Sequence, residues 1–460
     1  MHLVPRPPRL LLLLGILAIT SAVAGVLVTY DATPQHPAED RTGIWVTSPS
    51  DPSRRLLRLG GSRGGQVTAW VRVHPTDRRQ VWRGTGAAMT DASVELLARA
   101  PDSLRRLFDP VAMGGAHLNW VRLPLSSTDM SPQLWTWGWD GTTASPSPWA
   151  QNAMSTVAKV KKMQPRLHVV ATPWTAPRWM KQPAGVRGGT LRDDAIDQYA
   201  ALLVAQADEL RSRGVPLTAL TLGNEPGYSA DYSSMRMTTT QQVKLGNLVG
   251  PKLHDRGLEL WAVDHNWADR AGYDAVLAGA PGAFDSAAFH CYAGKPGQMA
   301  GVGVPPMVSE CTGTRDSWRK SFAWDARRLL SESISAGSTG LMMWNLAVDP
   351  QGGPRDLAST AGCASCRGLL TVDGSEVTAG PEFYLLAHLA RAADPGARVI
   401  GSSTTPGTSA AAFLDPDGTV GVMAFNGTGK DRVMGIDVPG RPEVHTKVHA
   451  GELLTVRSTR

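Results

Sequence analysis

The chain has 460 residues, of which 42% are hydrophobic and 19% are charged. This composition provides for a large apolar core and excludes a disordered protein. The formal net charge is +6, but the basic residues are spread along the chain, without a basic block or a nucleic-acid-binding motif. We therefore expect a solvated basic surface and no nucleic-acid partner.

The N-terminus has the composition of an export segment. Arg6 and Arg9 precede the uncharged residues 10–28, which include an Ala-Val-Ala sequence of the kind that signal peptidase prefers. Because this apolar run is nearly long enough to span a bilayer, an uncleaved membrane anchor is the alternative to a cleaved signal peptide. We assign residues 1–29 to this segment and the polar residues 30–42 to a linker. The protein is expected to be secreted or extracellular, and attached to the membrane if the segment is retained.

The next part of the chain predicts a barrel. Residues 43–80 alternate as β-strands do, and from residue 81 to 395 short β-rich runs alternate with stretches of helical periodicity, such as 195–213 and 318–336. This alternation is typical of βα units around a parallel sheet. Eight units over about 270 residues match a (β/α)8 barrel in size. The candidate strands lie at 81–90, 118–125, 167–174, 217–223, 258–263, 285–290, 306–309 and 340–345.

The C-terminal part has a different pattern. After a helical stretch at 383–392, residues 396–460 show strand-like alternation at 410–414, 419–425 and 444–448, and an Asp-Gly turn separates the first two runs. We assign 43–80 and 396–460 to one small side domain. The predicted fold class is α/β, a (β/α)8 TIM barrel with a small β-sandwich side domain built from N- and C-terminal segments.

Two predicted barrel strands end in a glutamate. The fourth runs into Asn224-Glu225-Pro226 and the seventh runs into Glu310. Active-site residues of such barrels follow the carboxyl ends of the strands, so both carboxylates are expected at one rim, across a narrow cleft. Glycoside hydrolysis needs such a pair: one acid protonates the leaving oxygen while the other attacks or stabilises the anomeric carbon. A single glutamate is more often a surface or capping residue, but this pair favours catalysis.

Several ordered motifs between residues 84 and 400 resemble glycoside hydrolase family 30, the glucosylceramidase-like barrels of a large clan of retaining β-glycosidases. The resemblance implies a barrel joined to a β-sandwich and a retaining double displacement, with Glu225 as general acid/base and Glu310 as nucleophile. The motifs are Gly84-Thr85-Gly86, Arg122-Leu123-Pro124, Ser127-Thr128-Asp129, Thr172-Pro173-Trp174-Thr175-Ala176-Pro177-Arg178-Trp179-Met180-Lys181, Gly223-Asn224-Glu225-Pro226, Asp264-His265-Asn266-Trp267, His290-Cys291-Tyr292-Ala293-Gly294, Ser309-Glu310-Cys311 and Trp344-Asn345-Leu346.

The resemblance also implies substrate-binding residues. Arg122 would hold the nucleophile ionised, Tyr292 would hydrogen-bond the same carboxylate, and Asn224 would donate to the 2-hydroxyl of the sugar. Core packing at a strand end is the alternative explanation for Arg122 and His290. The implied set comprises Asp129, Trp174 and Asn224 around the glycone, with Arg122, His290, Tyr292 and Trp344 around the carboxylates.

The four cysteines predict two disulfide bonds in an oxidising compartment. Cys363 and Cys366 are expected to form a local disulfide, since Cys-Ala-Ser-Cys alone supplies only half of a zinc site. Cys291 stands where members of the family often have Trp, and Cys311 directly follows Glu310. Because the sixth and seventh strands are neighbours in a barrel, these two thiols are expected to lie within bridging distance.

The sequence therefore predicts a hydrolase of β-glucosidic bonds in a carbohydrate or glycolipid, similar to a glucosylceramidase. An endo-β-1,6-glucanase is the nearest alternative, and a β-xylosidase or xylanase is another, because the loops after the strands, such as 135–148, set the specificity. A carbohydrate-binding surface protein that has lost catalysis is the alternative from a different class, against which the presence of both carboxylates argues. No metal or organic cofactor is expected, because two carboxylates and a water molecule complete the reaction.

Overall fold

The computed structural model describes residues 42–61, 65–315 and 317–459. The predicted export segment and nearly all of the linker lie outside these ranges. Within the described ranges, no helix is both long and apolar enough to cross a membrane.

Eight parallel strands form a closed barrel, as predicted. Each strand pairs with the next, and the eighth pairs with both the seventh and the first, which closes the ring. One predicted boundary was wrong: Val81 pairs with Arg398 in the side domain, because the extended chain continues through Val81 before the barrel begins. The barrel strands are Gly84–Ala88, Trp120–Pro124, His168–Thr172, Leu217–Thr221, Glu259–Asn266, Ser286–His290, Pro306–Glu310 and Gly340–Val348.

The barrel interior is a packed core, as is usual for this architecture. Beneath it, at the N-terminal end of the strands, Arg83 pairs with Glu259 at 2.8 Å. Gly86 has no side chain because an added Cβ would collide with the main chain of Trp120 on the next strand. Side chains from the second to the eighth strand fill the interior: Trp120, Val170, Ala219, Trp261, Ala288, Met307 and Met342.

Helices surround the barrel, and polar caps fix where several of them begin. Thr90 accepts a hydrogen bond from the Ser93 N–H, and Thr238 forms a capping box with Gln241. The helices are Asp91–Arg99, Asp102–Phe108, Pro148–Met163, Ile196–Ser212, Thr239–His254, Arg270–Gly279, Trp318–Asp325, which continues as the π-helix Ala326–Glu332 and the short helix Ser333–Ser335, and Pro381–Ala392. Short 3₁₀ turns lie at Pro52–Arg54, Arg178–Met180, Asp193–Ala195, Trp267–Asp269 and Pro296–Met299.

The side domain is a nine-stranded sheet that takes strands from both ends of the described chain. Strands far apart in the hydrogen-bonding order, such as those of Ile44 and Val448, share one apolar core, so the sheet folds over as a sandwich. In hydrogen-bonding order its strands are Leu57–Leu59, Gly43–Thr47, Leu453–Ser458, Val420–Asn426, Thr408–Leu414, Arg398–Thr404, Ala69–Val81, Arg432–Asp437 and Val444–Val448. The remaining strands are Gly138–Trp139 with Ala144–Ser145, Lys181–Gln182 with Thr190–Leu191, and Gly368–Asp373 with Glu376–Ala379, which extends the barrel sheet at its eighth strand.

The helix Pro381–Ala392 joins the two domains. Its buried residue His388 contacts two threonines of the side sheet, with Nδ1 2.7 Å from Thr455 Oγ1 and Nε2 2.8 Å from Thr47 Oγ1. The side domain is therefore fixed to the barrel by buried polar contacts as well as by apolar packing.

Candidate active site

Glu225 and Glu310 meet at the carboxyl-terminal rim of the barrel. Glu225 follows the fourth strand and Glu310 ends the seventh. His290, at the end of the sixth strand, lies between them: its Nδ1 is 3.0 Å from Glu225 Oε1 and 3.9 Å from Glu310 Oε1. The two carboxylates that sequence reasoning singled out therefore face one cleft.

A buried network lies beneath this pair. Asp264, on the fifth strand, accepts a hydrogen bond from Ser309 Oγ at 2.7 Å and lies 3.0 Å from His290 Nε2. Arg122, on the second strand, pairs with both Asp264 and Glu310. Its Nη2 also donates to Asn224 Oδ1 at 2.7 Å. Charged side chains from five strands are thus held in one hydrogen-bonded cluster.

The backbone around Glu225 adopts an uncommon conformation. Glu225, Val263 and Asp264 have φ angles of 44°, 64° and 60°, and a left-handed conformation is a genuine outlier for a β-branched residue such as Val263. The fifth strand changes register against the sixth between Val263 and His265. The Glu225 N–H donates to the Asp264 carbonyl at 3.0 Å, which joins the loop after the fourth strand to the fifth strand. Such strained positions concentrate at functional sites.

Charges within the cluster control its ionisation. Burial alone would lower the pKa of His290, but the charge of Glu310 and the hydrogen bonds to Asp264 and Glu225 raise it to about 10. Burial would raise the pKa of Glu225, but the hydrogen bond and positive charge of His290 hold it below its usual value. Burial also opposes ionisation of Asp264, yet Arg122 and His290 keep its pKa far below the usual range. His290 is therefore a cation at neutral pH.

Two tryptophans form the wall on the side of the third and eighth strands. Trp174 and Trp344 are buried, with ring centroids 5.1 Å apart, and the Arg122 guanidinium lies 4.5 Å from the Trp174 ring. Asp129 lies on the same side, and burial, with the charges of Glu310 and Glu225, raises its pKa to about 6. An aromatic wall with a carboxyl group beside it is suited to a sugar ring with its hydroxyl groups.

The loop after the eighth strand covers Asp129. The Cys363 N–H donates to Asp129 Oδ2 at 3.0 Å. Asp231 anchors this loop by accepting the N–H groups of Thr360 and Ala361 at 2.7 and 3.0 Å. The structure joins Cys363 to Cys366 within the same loop. This side of the cleft is therefore bounded by an anchored loop.

Tyr292 borders the cleft beside the end of the sixth strand. Its hydroxyl donates to Glu310 Oε1 at 2.7 Å, although 44% of its surface is exposed. A disulfide links Cys291, next to Tyr292, to Cys311, next to Glu310. The loops after the sixth and seventh strands are thus joined beside the carboxylate.

Every site residue predicted from the sequence lies at this rim, but Asp264 was missed. It belongs to the motif Asp264-His265-Asn266-Trp267, and the signal that could have found it is a carboxylate at the end of a predicted barrel strand. In the described ranges, no group of three or more His, Cys, Asp or Glu side chains is arranged to hold a metal ion.

Comparison with known proteins identifies the family. The model of the glycosyl hydrolase family 30 TIM-barrel domain matches residues 82–256, and that of the family 30 β-sandwich domain matches residues 396–455. The barrel match precedes the β-sandwich match along the chain, in the same order as the barrel and the C-terminal strands of the side domain. The chain belongs to glycosyl hydrolase family 30. It is a glycosidase with a carbohydrate substrate.

Several relatives in family 30 are similar over most of their length. An endo-1,6-β-D-glucanase of Aspergillus fumigatus is 29% identical over 81% of this chain and 84% of its own. An endo-1,6-β-D-glucanase of Neurospora crassa is 27% identical over 94% of both chains. The lysosomal acid glucosylceramidase of Mus musculus is 25% identical over 80% of this chain and 79% of its own.

Solved structures of similar shape agree on the fold. An endo-β1,6-glucanase superposes with a TM-score of 0.81 at 21% identity, covering 91% of this chain and 100% of its own. SrfJ of Salmonella typhimurium superposes with a TM-score of 0.79 at 19% identity, covering 91% of this chain and 99% of its own. At this level of identity the likeness concerns the barrel and its side domain alone.

Proposed function

We propose that this family 30 enzyme hydrolyses β-1,6-glucan with retention, with Glu225 as general acid/base and Glu310 as nucleophile. The position of His290 between the two glutamates is the observation that supports the retaining mechanism. Its Nδ1 lies 3.0 Å from the Oε1 atom of Glu225 and 3.9 Å from that of Glu310. These two oxygens are therefore at most about 7 Å apart. This limit includes the ~5–5.5 Å carboxylate separation of retaining enzymes and little of the ~6.5–9.5 Å range of inverting enzymes.

In the first step, Glu310 attacks the anomeric carbon while Glu225 protonates the glycosidic oxygen, so that the C–O bond breaks and a glycosyl ester forms on Glu310. Arg122 and Tyr292 hold Glu310 in place through its two oxygens. Since Asn224 Oδ1 accepts from Arg122, its amide nitrogen can donate to the 2-hydroxyl, a bond that strengthens in the transition state.

In the second step, Glu225 removes a proton from a water molecule, whose oxygen attacks the anomeric carbon and releases Glu310. Two inversions at the same carbon give net retention. Glu225 must be protonated in the first step and ionised in the second. Its contact with the cationic His290 favours the ionised form that the second step requires.

The substrate is inferred from the relatives. Two fungal relatives that match most of this chain are named endo-1,6-β-D-glucanases, while the glucosylceramidase is less similar. We therefore favour β-1,6-linked glucan over the glucosylceramide-like substrate expected from the sequence alone. A glycolipid substrate and a β-xyloside or xylan are the alternatives. The aromatic wall of Trp174 and Trp344, with Asp129 on the same side, is suited to the glycone, which we take to be glucose.

We also infer that the enzyme is exported. The N-terminal sequence predicts an export segment. The two disulfides of the described chain are consistent with an oxidising compartment.

The experiment compares the wild type with Glu225→Gln and Glu310→Gln on β-1,6-glucan, glucosylceramide and xylan. Both variants should lose at least about 10³-fold in kcat on the glucan, whereas Glu225→Gln should retain more activity on an aryl β-glucoside whose leaving group needs no protonation. Glu376→Gln, an exposed glutamate on the strand Glu376–Ala379, is the matched control.

Two further measurements test the mechanism and the substrate separately. Proton NMR of the fresh product should show the β-anomer first, and mass spectrometry after a 2-fluoro glucoside should find the label on Glu310. An α-anomer first, or a label elsewhere, would overturn the assigned roles. Faster hydrolysis of glucosylceramide or xylan than of β-1,6-glucan would overturn the substrate alone, and the length of the products separates internal from terminal cleavage.

A further inference from the structure

A second cavity adjoins the carboxylate pair on the side of Tyr292. It has a volume of about 350 Å³ and lies between the loops after the sixth and seventh barrel strands. This size is within the range of pockets that hold small organic ligands. The residues that line it include Cys291, Tyr292, Gly313, Lys320, Trp324 and Asp325. None of these except Tyr292 and Cys291 has a part in the site described above.

The cavity and the proposed glycone site are lined by different strands. Trp174 follows the third strand and Trp344 lies within the eighth, whereas Tyr292 and Gly313 follow the sixth and seventh. The Tyr292 hydroxyl donates to Glu310, so the cavity begins beside the nucleophile. If the glycone lies against Trp174 and Trp344 and the scissile bond lies between the glutamates, the cavity of Tyr292 can receive the released part of the substrate.

Trp324 offers this cavity an exposed aromatic surface. It lies on the helix Trp318–Asp325, and 37% of its surface is exposed, in contrast to the buried Trp174 and Trp344. A large apolar side chain that stays exposed beside an active site is suited to stacking against the apolar face of a sugar ring.

Asp325 lies at the base of the cavity and lacks the partner that a buried carboxyl needs. It is 1% exposed, and its Oδ2 has no hydrogen-bond partner. Burial and the charge of Glu382, opposed by Arg367, raise the pKa of Asp325 well above its usual value, which favours the protonated form. A buried polar group without a partner is costly unless a ligand or water satisfies it. A protonated carboxyl can donate to a sugar hydroxyl.

The residues around this cavity are tightly packed. Asp325 ends the α-helix at the point where it becomes the π-helix Ala326–Glu332, and π-helical turns occur frequently at functional sites. Gly313 packs on the ion pair of Arg367 with Glu382, and an added Cβ would overlap both side chains. This packing fixes the position of the residues that line the cavity at Gly313.

We propose that Trp324 and Asp325 form a subsite for the sugar on the leaving-group side of the scissile bond, with Trp324 stacking on the ring and Asp325 donating to a hydroxyl. This inference rests on the proposed retaining mechanism. The same subsite would hold an acceptor sugar when the glycosyl enzyme transfers its sugar to another saccharide instead of to water.

The experiment measures how an acceptor releases the trapped intermediate. The full-length enzyme is inactivated with a 2-fluoro glucoside, freed of excess reagent, and its recovery of activity is followed with and without a β-1,6-linked glucose disaccharide. In the wild type the disaccharide should accelerate recovery in a saturable manner. Trp324→Ala should lower the ratio of acceptor-dependent to water-dependent recovery about 10-fold, the effect of one lost aromatic contact. Asp325→Leu should also lower it, and Asp325→Asn, whose amide can donate, should restore most of it.

Controls separate the subsite from folding and from the mechanism. Trp179→Ala removes a Trp with 47% exposure on the loop after the third strand and should keep the wild-type ratio. Asp325→Leu should unfold at no lower temperature than the wild type, because it replaces a buried carboxyl group, whose Oδ2 has no partner, by an apolar side chain. A wild-type ratio in Trp324→Ala, or in Asp325→Leu, would overturn the role of that residue. Failure of the wild type to be labelled would instead contradict the proposed mechanism.

Discussion

The imidazole of His290 lies 3.0 Å from Glu225 and holds that carboxylate at the rim of the barrel. Because His290 lowers the pKa of Glu225, its removal should raise that pKa. The first step needs protonated Glu225, so kcat/KM should fall as pH rises through the pKa of Glu225.

In His290→Gln we expect a lower kcat and an alkaline limb of the kcat/KM profile that moves to higher pH, because the neutral amide no longer favours the ionised carboxylate. The measurement is a pH profile on β-1,6-glucan. His74→Gln, an exposed histidine of the side domain, is the control. A limb that stays in place in His290→Gln would show that His290 does not control the acid.

Arg122 should stabilise the fold as well as the nucleophile. It is the cation paired with two buried carboxylates, Asp264 and Glu310. Arg122→Leu leaves both without this partner and should lower the free energy of unfolding by about 3–5 kcal/mol. Arg122→Lys keeps the charge but loses the fork of donors, so we expect a smaller loss of stability with slow labelling of Glu310. Urea unfolding and inactivation rates measure the two effects, and wild-type stability in Arg122→Leu would contradict this account.

His388 should make the joint between the domains sensitive to acid. Burial, followed by the charge of Arg391, lowers its pKa from 6.5 to about 3. The unfolded chain therefore binds a proton first as the pH falls. Stability is fully present above about pH 6.5 and is lost by about 1.4 kcal/mol for each unit below it, until the folded pKa is reached. Thermal unfolding of His388→Gln between pH 7 and 4 should show a weaker pH dependence than the wild type. An equal dependence would exclude this histidine as the cause.

The bond between Cys291 and Cys311 should stabilise the loops beside the nucleophile. It closes a segment with a sequence separation of 20 residues. A loop of this size predicts a loss of about 3 kcal/mol in unfolding free energy when both cysteines become serine. Chemical denaturation measures the loss, and peptide mapping under non-reducing conditions tests the bond itself, which two free thiols would disprove.

Apolar periodicity was sufficient to predict the eight barrel strands, because buried parallel strands are continuous hydrophobic runs. The predicted ends of these strands were less accurate. The fourth strand was predicted to reach Gly223 but ends at Thr221, since the hydrogen-bond ladder stops before the apolar run does. Val81 was assigned to the barrel because nothing in its local sequence separates it from the next strand.

Glu225 and Glu310 could be predicted because each directly follows an apolar strand. Asp264 also follows a predicted strand, but its contacts with Arg122 and His290 depend on a turn of the fifth strand at positive φ, which the sequence does not reveal. Trp324 and Asp325 lie on a helix well beyond Glu310, and only the packing of that helix brings them to the cleft.

The order of the side sheet limits how the protein can be shortened. Gly43–Thr47 covers one edge of Leu453–Ser458, whose other edge pairs with Val420–Asn426. A form that begins after Thr47 would expose an unpaired edge to which a second molecule can add a strand, and such forms are expected to aggregate. Removing Leu453–Ser458 would divide the sheet. Soluble material for crystals therefore requires both of these terminal strands.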